Sequence, residues 1–330
     1  MTTEPNHEIR IDRYGGPEVL VWTPGTPTAL QPGELRIRTL AAAVNHTDLR
    51  IRAGDWPIRK AHPFPYVPGV EVVGIVVEAG DALPVGWVGR TVITMMQALG
   101  GVRADRSGAY ATEVTVAADA VAVVPDGVDP LALAALGLAG VTAFHGLDRL
   151  GDLKDHDVLI TGAAGGVGSA AVSIARAAGA RVTGLIRRLK QADYVRGLGA
   201  DHVVVAPKDA PPVLTPSSLD GVLDTVGGKV FAAGVGALRP GGVLCLVGAV
   251  GEGPVSIDPW SLILPTTLTG YSTEALDGDG LRLAIAALGA GLASGDIRAP
   301  AYETLPLLEA AEAHRRLEAG GVSGRLLLVP

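Results

Sequence analysis

The sequence predicts an α/β protein of two domains, in which a mostly antiparallel, barrel-like β unit is interrupted by a doubly wound parallel sheet. Three observations carry this. Residues 7–125 hold short β-rich runs (HEIRI, ELRIRTL, EVVGIVVEAG, RTVITMM, AYATEVTVA, AVAVVP) broken by Gly and Pro, with little helical periodicity. From about residue 126, apolar strands alternate with short helical patterns, as in a parallel sheet covered on both faces. The chain closes on GRLLLVP, a β-like run suited to rejoin the first unit, so that the second is an insertion. At 330 residues the chain exceeds the usual size of one hydrophobic core. The expected division is 1–125 plus 273–330 for the first domain and 126–272 for the second.

Within the second domain the order is the helix LALAALGLAGVTAFHGLDRL, the strand DVLITG, the helix GSAAVSIARAAG, the strand RVTGLIR, the helix KQADYVRGLG and the strand DHVVV. LDGVLDTV, KVFAAGVGAL and GGVLCLVGA continue the alternation. After LTGYS come two amphipathic helical patterns, DGLRLAIAALGAGLASG and LPLLEAAEAHRRLEAGG.

Composition narrows the function. Hydrophobic residues are 48% and charged residues 18%, with 45 Gly and 23 Pro, which describes a packed globular chain and not a disordered one. The net charge is -7, and the basic residues cluster only as pairs such as Arg187-Arg188 and Arg315-Arg316, which argues against a nucleic-acid partner. The opening MTTEPNHEIR does not read as a signal peptide, and the uncharged run Leu131 to Gly146 reads as a buried helix rather than a membrane span. A cytoplasmic protein with no membrane partner is expected. The one cysteine, Cys245, forbids an intrachain disulfide and a cysteine-rich zinc site, and reads as a small core residue.

VLITGAAGGVGSA, residues 158–170, places a glycine-dense turn after a strand (157–161) and before a helix (167–178). Gly162, Gly165, Gly166 and Gly168 let the backbone approach a pyrophosphate, whose charge meets helix N-terminal amides. Ala163, Gly165 and Gly168 give A-x-G-x-x-G, one residue away from the dinucleotide fingerprint, and make Ala164, Gly165, Gly166, Val167 and Gly168 the candidate phosphate cradle. A ribose with a free 2'-hydroxyl wants an acidic residue at the end of the next strand. Here the strand ends RVTGLIRR, with no carboxylate and with Arg187 and Arg188 in its place. The expected cofactor is therefore NADPH, its 2'-phosphate clamped by guanidinium; a merely solvated arginine pair is the alternative.

In the first domain AAAVNHTDLRIRAG, PFPYVPGVEVVGIVVEAG and GAYATEVTV precede the AAGGVG turn. Together these resemble the medium-chain dehydrogenase/reductase superfamily, most closely its zinc-free quinone oxidoreductase (zeta-crystallin-like) branch. The resemblance implies a GroES-like catalytic domain, an inserted Rossmann domain, a cofactor in the cleft between them and a homodimer joined along Rossmann edge strands. Where zinc-dependent members carry metal ligands this chain has Asn45, Val70 and, approximately, Leu138, so no metal site is expected and Glu71 is taken as a structural remnant. The implied reaction is hydride transfer from NADPH to a small-molecule acceptor, a quinone or an activated alkene (enone, enal or enoyl). A biosynthetic tailoring enzyme of the same fold, or a non-catalytic dinucleotide-binding protein, are the alternatives.

The resemblance also assigns residues. Asn45 would donate its amide to a substrate carbonyl or order the turn; Thr47 would relay a proton or serve only as a backbone partner; Asp48 would serve structural hydrogen bonding or acid catalysis; His46 would reach the cofactor phosphates or lie on the surface. Thr142 would lie near the nicotinamide, Thr225, Val226, Gly248 and Ala249 would contact the cofactor from strand ends, and Gly324 and Arg325 would approach it from the terminal motif. Arg50 stands where the branch often has Tyr, so Arg50 or Arg52 would meet an anionic substrate group or simply be solvated. Trp56, Tyr66, Met95, Met96 and Trp260 are candidate pocket walls or ordinary core.

Overall fold

The computed structural model describes residues 6–25, 29–56, 64–95, 107–207, 210–251, 254–263 and 265–330. Met96 lies outside the described residues. The chain divides into two compact units, one of residues 1–138, 273–290 and 301–330, the other of residues 139–272 and 291–300.

The first unit begins with a two-stranded antiparallel sheet of β1 (His7–Arg10) and β2 (Val21–Pro24). Next come β3 (Glu34–Ala43), the helix α1 (His46–Ala53), β4 (Glu71–Ala79), β5 (Thr91–Met95), β6 (Glu113–Ala117) and β7 (Val121–Val123). The apolar residues of β3 fall on alternate positions, with Leu35, Ile37 and Ala41 buried on one face. The length of β3 lets one of its edges serve two partners in succession: Glu34 to Arg38 pair with β6, and Ala42 and Ala43 pair with the last strand of the chain. β4 takes the other edge.

The sequence pattern did not reveal α1, because Leu49 and Ile51 alone make no apolar stripe. It is held by its ends: Asn45 and Asp48 form a capping box, and Gly54 closes the helix in the left-handed region at φ 90°.

The helix α2 (Pro130–Asp148) departs from the single regular helix read from LALAALGLAGVTAFHGLDRL, because Gly137 breaks it with φ 37° and ψ -136°. It is long and apolar enough to cross a membrane, yet 72% of its apolar window is buried in the protein, as a core helix requires.

The second unit contains β8 (Asp157–Ile160), α3 (Gly166–Ala177), β9 (Arg181–Ile186), α4 (Ala192–Gly197), β10 (His202–Val205), β11 (Leu219–Asp224), α5 (Gly228–Ala237), β12 (Leu238–Leu246) and β13 (Thr267–Gly270). Its six strands are parallel and run in the order β10-β9-β8-β11-β12-β13. Leu159, Leu185, Val222, Phe231, Val235 and Leu244 share one core, as expected where helices cover the sheet. Cys245 is fully buried, and burial pushes its thiol up to about 11, which leaves it an inert core residue.

The remaining elements are α6 (Gly278–Ser294), β14 (Tyr302–Pro306), α7 (Ala310–Ala319) and β15 (Arg325–Val329). The helix read from LPLLEAAEAHRRLEAGG starts later than its pattern suggests, since β14 and a 3-10 turn precede it. β14 pairs parallel with β15, and β15 pairs antiparallel with β3.

Candidate active site

Two groups of the sequence-selected residues assemble, one in each unit. In the second unit they line the carboxyl ends of neighbouring strands. β8 runs into a turn in which Gly162 adopts φ 58° and Gly165 caps α3. The first amide of α3 to bond back is Ser169, to the Gly165 carbonyl at 2.9 Å, so the amides of Gly166, Val167 and Gly168 lie ahead of the helical ladder. A Cβ on Gly168 would collide with the Gly162 carbonyl, so the turn can be this tight only with glycine there. Ala164 is buried beneath this loop.

The neighbouring strand ends are tied to it. Thr161 Oγ1 donates to Asp224 Oδ1 at 2.6 Å and accepts the Thr225 N–H at 2.8 Å, while the Thr225 hydroxyl donates to the Thr161 carbonyl at 2.9 Å. Asp224 also accepts the Val226 and Gly227 amides. Burial raises its carboxyl, opposed by these donors. The Gly251 amide reaches the Val226 carbonyl at 2.7 Å, which brings the loop of Gly248 and Ala249 beside that of Thr225 and Val226. Thr142 is buried in α2.

At the end of β9, Arg187 and Arg188 are exposed, and neither makes an ion pair among the described residues. Such side chains are available to an anion. The residues fit NADPH: a glycine turn too tight for a Cβ at Gly168, helical amides ahead of their ladder, and two uncommitted guanidiniums where a carboxylate would repel a 2'-phosphate.

In the first unit the residues close on Glu71, at the start of β4. Asn45 Nδ2 donates to Glu71 Oε1 at 2.8 Å and to the Ala43 carbonyl at 3.1 Å. Asn45 Oδ1 accepts from Arg325 NH1 at 3.1 Å, and Arg325 NH2 meets Glu71 Oε1 at 2.5 Å. Glu71 Oε2 accepts the Leu138 N–H at 2.5 Å. Burial pushes the Glu71 carboxyl up, and Arg325, Asn45 and the Leu138 amide pull it down.

This geometry corrects several expectations. The two amide hydrogens of Asn45 are already donated, so the residue orders the turn and has no donor left for a substrate carbonyl. Arg325 directs its terminal nitrogens at Asn45 and Glu71, not outward to a cofactor, while Gly324 beside it supplies a left-handed backbone at φ 83°. Glu71 is structural, as read from the sequence, and its carboxylate joins three segments of the unit. Asp48 is fully buried with Oδ2 on the Asn45 N–H at 2.9 Å, and burial pushes its carboxyl up to about 7.

His46 sits exposed on α1; partial desolvation by the surrounding protein, with the charges of Arg325 and Arg50, holds its imidazole below the ordinary range. Thr47 is half-buried in the first turn. Of the two arginines that follow, Arg52 is buried and committed to partners, whereas Arg50 is exposed. Tyr66 and Met95 are core residues, Trp56 is half-buried, and Trp260 is 72% exposed.

Sequence reasoning missed Gly137, Tyr110 and His314. The signal for Gly137 was a glycine inside an apolar helix; nothing local marked the other two, which matter through contacts distant in sequence.

Residues 31–126 match the family model for the alcohol dehydrogenase GroES-like domain, and residues 166–273 match that for the zinc-binding dehydrogenase. The chain is 31% identical to an alcohol dehydrogenase of Geobacillus stearothermophilus, with 91% of this chain and 92% of that protein covered. It is 29% identical to a 2-haloacrylate reductase of a Burkholderia species, covering 97% of this chain and 98% of the relative. The crystal structure of Escherichia coli quinone oxidoreductase complexed with NADPH superposes with a TM-score of 0.83 at 26% identity, covering 98% of this chain and 100% of that one. The chain belongs to the medium-chain dehydrogenase/reductase superfamily, on its quinone oxidoreductase branch.

Proposed function

We propose that this protein is a zinc-independent, NADPH-dependent oxidoreductase that reduces a quinone or an activated alkene. The observation that carries it is the pairing of the Gly165–Gly168 cradle with the uncommitted Arg187 and Arg188 at the end of β9. The NADPH complex of the E. coli quinone oxidoreductase and the 2-haloacrylate reductase relative support the cofactor and the acceptor class. NADPH, when bound, supplies the hydride.

The chain's own residues do the rest. The amides of Gly166 to Gly168 receive the pyrophosphate, and Arg187 and Arg188 receive the 2'-phosphate. Thr142, Thr225, Val226, Gly248 and Ala249 hold the ribose and carboxamide end, and His46 adds a polar contact to the phosphates. Thr47 supplies the hydroxyl through which a proton reaches an alkene acceptor. Asn45, Glu71 and Arg325 keep its helix in place. Zinc independence is supported by the residues at the three expected ligand positions: an amide whose hydrogens are committed, the buried Val70, and Leu138, whose backbone N–H is bound to Glu71.

The same proposal includes a homodimer. β13 lies at the edge of the parallel sheet among the described strands, and Trp260, Leu262 and Ile263 before it are exposed apolar side chains of the kind a partner covers. The proposal also places the protein in the cytoplasm; the burial of α2 bears only on whether that helix crosses a membrane.

The test is NADPH oxidation by the purified protein against a panel of quinones and enones. Turnover with at least one member is expected. NADPH binding without turnover on any acceptor would instead favour a tailoring enzyme with a narrower substrate or a non-catalytic dinucleotide-binding protein.

A further inference from the structure

A chain of buried polar groups runs through the first unit, away from the residues assigned to the reaction. Arg52 on α1 donates from Nε to the Gly15 carbonyl at 3.1 Å, pairs through NH2 with Glu318 on α7, and places NH1 3.3 Å from His314 Nδ1. His314 on α7 is fully buried, with Nε2 3.1 Å from the Tyr110 hydroxyl. Tyr110, also fully buried, faces the Asp48 carboxyl. Asp48 Oδ2 is bound by the Asn45 N–H, while Oδ1 is buried and lacks a hydrogen bond of regular geometry. Asn45, Glu71 on β4, Tyr66 and Tyr110 are the polar groups around that carboxyl.

Elementary chemistry gives the chain a direction. A guanidinium has only donors, so His314 Nδ1 must accept from Arg52, and a neutral ring then carries its proton on Nε2. Nε2–H donates to the Tyr110 oxygen, which leaves the phenolic proton for the Asp48 carboxyl. Burial, reinforced by the charge of Arg52, holds the His314 imidazole down to about 3, so it stays neutral.

We infer that Tyr110 and His314 are positioning residues, the middle links of a one-directional hydrogen-bond chain from Arg52 through His314 and Tyr110 to Asp48 that fixes the first turn of α1, given that this turn serves the reaction as proposed above. The later residues of the helix are held by the buried Leu49 and Ile51 and by Arg52, whereas its first turn rests on the Asn45–Asp48 cap. The helix is eight residues long with no apolar stripe, so the capping carboxyl is the anchor of that turn, and a buried acceptor left without a donor loosens that anchor.

The full-length protein and the variants Tyr110→Phe, His314→Leu and His314→Gln test this. Gln alone keeps the direction, since its carbonyl accepts from Arg52 and its amide donates to Tyr110. Nitrogen NMR of labelled histidine, assigned by the signal lost in His314→Gln, is expected to show the neutral Nε2–H tautomer between about pH 5 and 8. An Nδ1–H tautomer or an imidazolium there overturns the chain. At pH 8, where the Asp48 carboxyl is ionised and only accepts, amide exchange in α1 should quicken by about tenfold or more in Tyr110→Phe and His314→Leu but not in His314→Gln. On any accepted quinone or enone, those two variants should lose about tenfold in kcat with the acceptor KM within about threefold, and His314→Gln should recover to within about threefold of wild type. Folded His314→Gln and His314→Leu proteins with equal kcat and equal exchange would defeat the inference. A wild type that reduces no acceptor defeats the functional proposal alone, because tautomer and exchange still decide the chain.

Discussion

Glu71 Oε2 accepts the backbone N–H of Leu138 at 2.5 Å, the residue that follows the break in α2. One buried carboxylate thereby ties the start of β4 to a helix more than sixty residues away. The same carboxylate holds Arg325 at the start of β15 and Asn45 at the cap of α1. Leu138 contributes its backbone N–H to this contact, not its side chain.

Gly137 is the residue this contact tolerates. Its φ of 37° lies in the region that side chains avoid, and a Cβ would collide with Glu71 Oε2. Gly137→Ala is expected to cost at least about 2 kcal/mol, through backbone strain and a displaced buried carboxylate. Urea unfolding of the two proteins measures it, and equal midpoints would show that α2 relaxes without penalty.

Asp48 makes stability depend on pH. Folded, Asp48 retains its proton up to about 7, whereas an unperturbed aspartate loses it near 3.8. Folding takes up a proton between those values, so stability falls as pH rises through the window and levels off above it. Each pH unit inside the window is worth about 1.4 kcal/mol, an upper bound of about 3 kcal/mol between pH 5 and 8. Asp48→Asn should flatten that slope, because an amide oxygen still accepts the Asn45 N–H and carries no charge to bury. An unchanged slope in urea unfolding at the two pH values would assign it to other groups.

The coenzyme preference should reside at the end of β9. NADPH is expected to bind at least about tenfold more tightly than NADH, since a charge-assisted clamp on the 2'-phosphate is worth about 1.5–3 kcal/mol. Replacing Arg187 and Arg188 together by Ala should erase most of the difference and leave NADH binding nearly unchanged. Fluorescence titration decides it; retained selectivity would place the phosphate elsewhere.

Metal content is expected to separate this chain from the zinc-dependent members of its superfamily. Elemental analysis is expected to find no stoichiometric zinc, and activity should persist in chelator. One tightly bound zinc per chain would contradict the assignment of Asn45, Val70 and Leu138 as non-ligands.

The sequence of elements was legible where the physics is local. A strand, a glycine turn and a helix appear in AAGGVG because tight turns need glycine and helical amides need an opening. The alternation after residue 126 appears because strands buried on both faces must be apolar throughout. α1 and β14 were not legible, since one depends on a capping box without an apolar stripe and the other on pairing with β15.

The site divided in the same way. By itself the sequence determined the glycine turn between β8 and α3, the arginine pair at the end of β9 and the amide and hydrocarbon side chains of Asn45, Val70 and Leu138, all of which depend on residue type and short spacing. Only the tertiary structure decided what Asn45 does with its amide, that Arg52 is committed while Arg50 is exposed, and that Glu71, Gly137 and Leu138 form one unit. It also brought Tyr110 and His314, 204 residues apart, to within a hydrogen bond. Hydrogen bonds are short and directional, so a buried donor's partner is set by how the segments pack, and spacing along the chain carries no record of that.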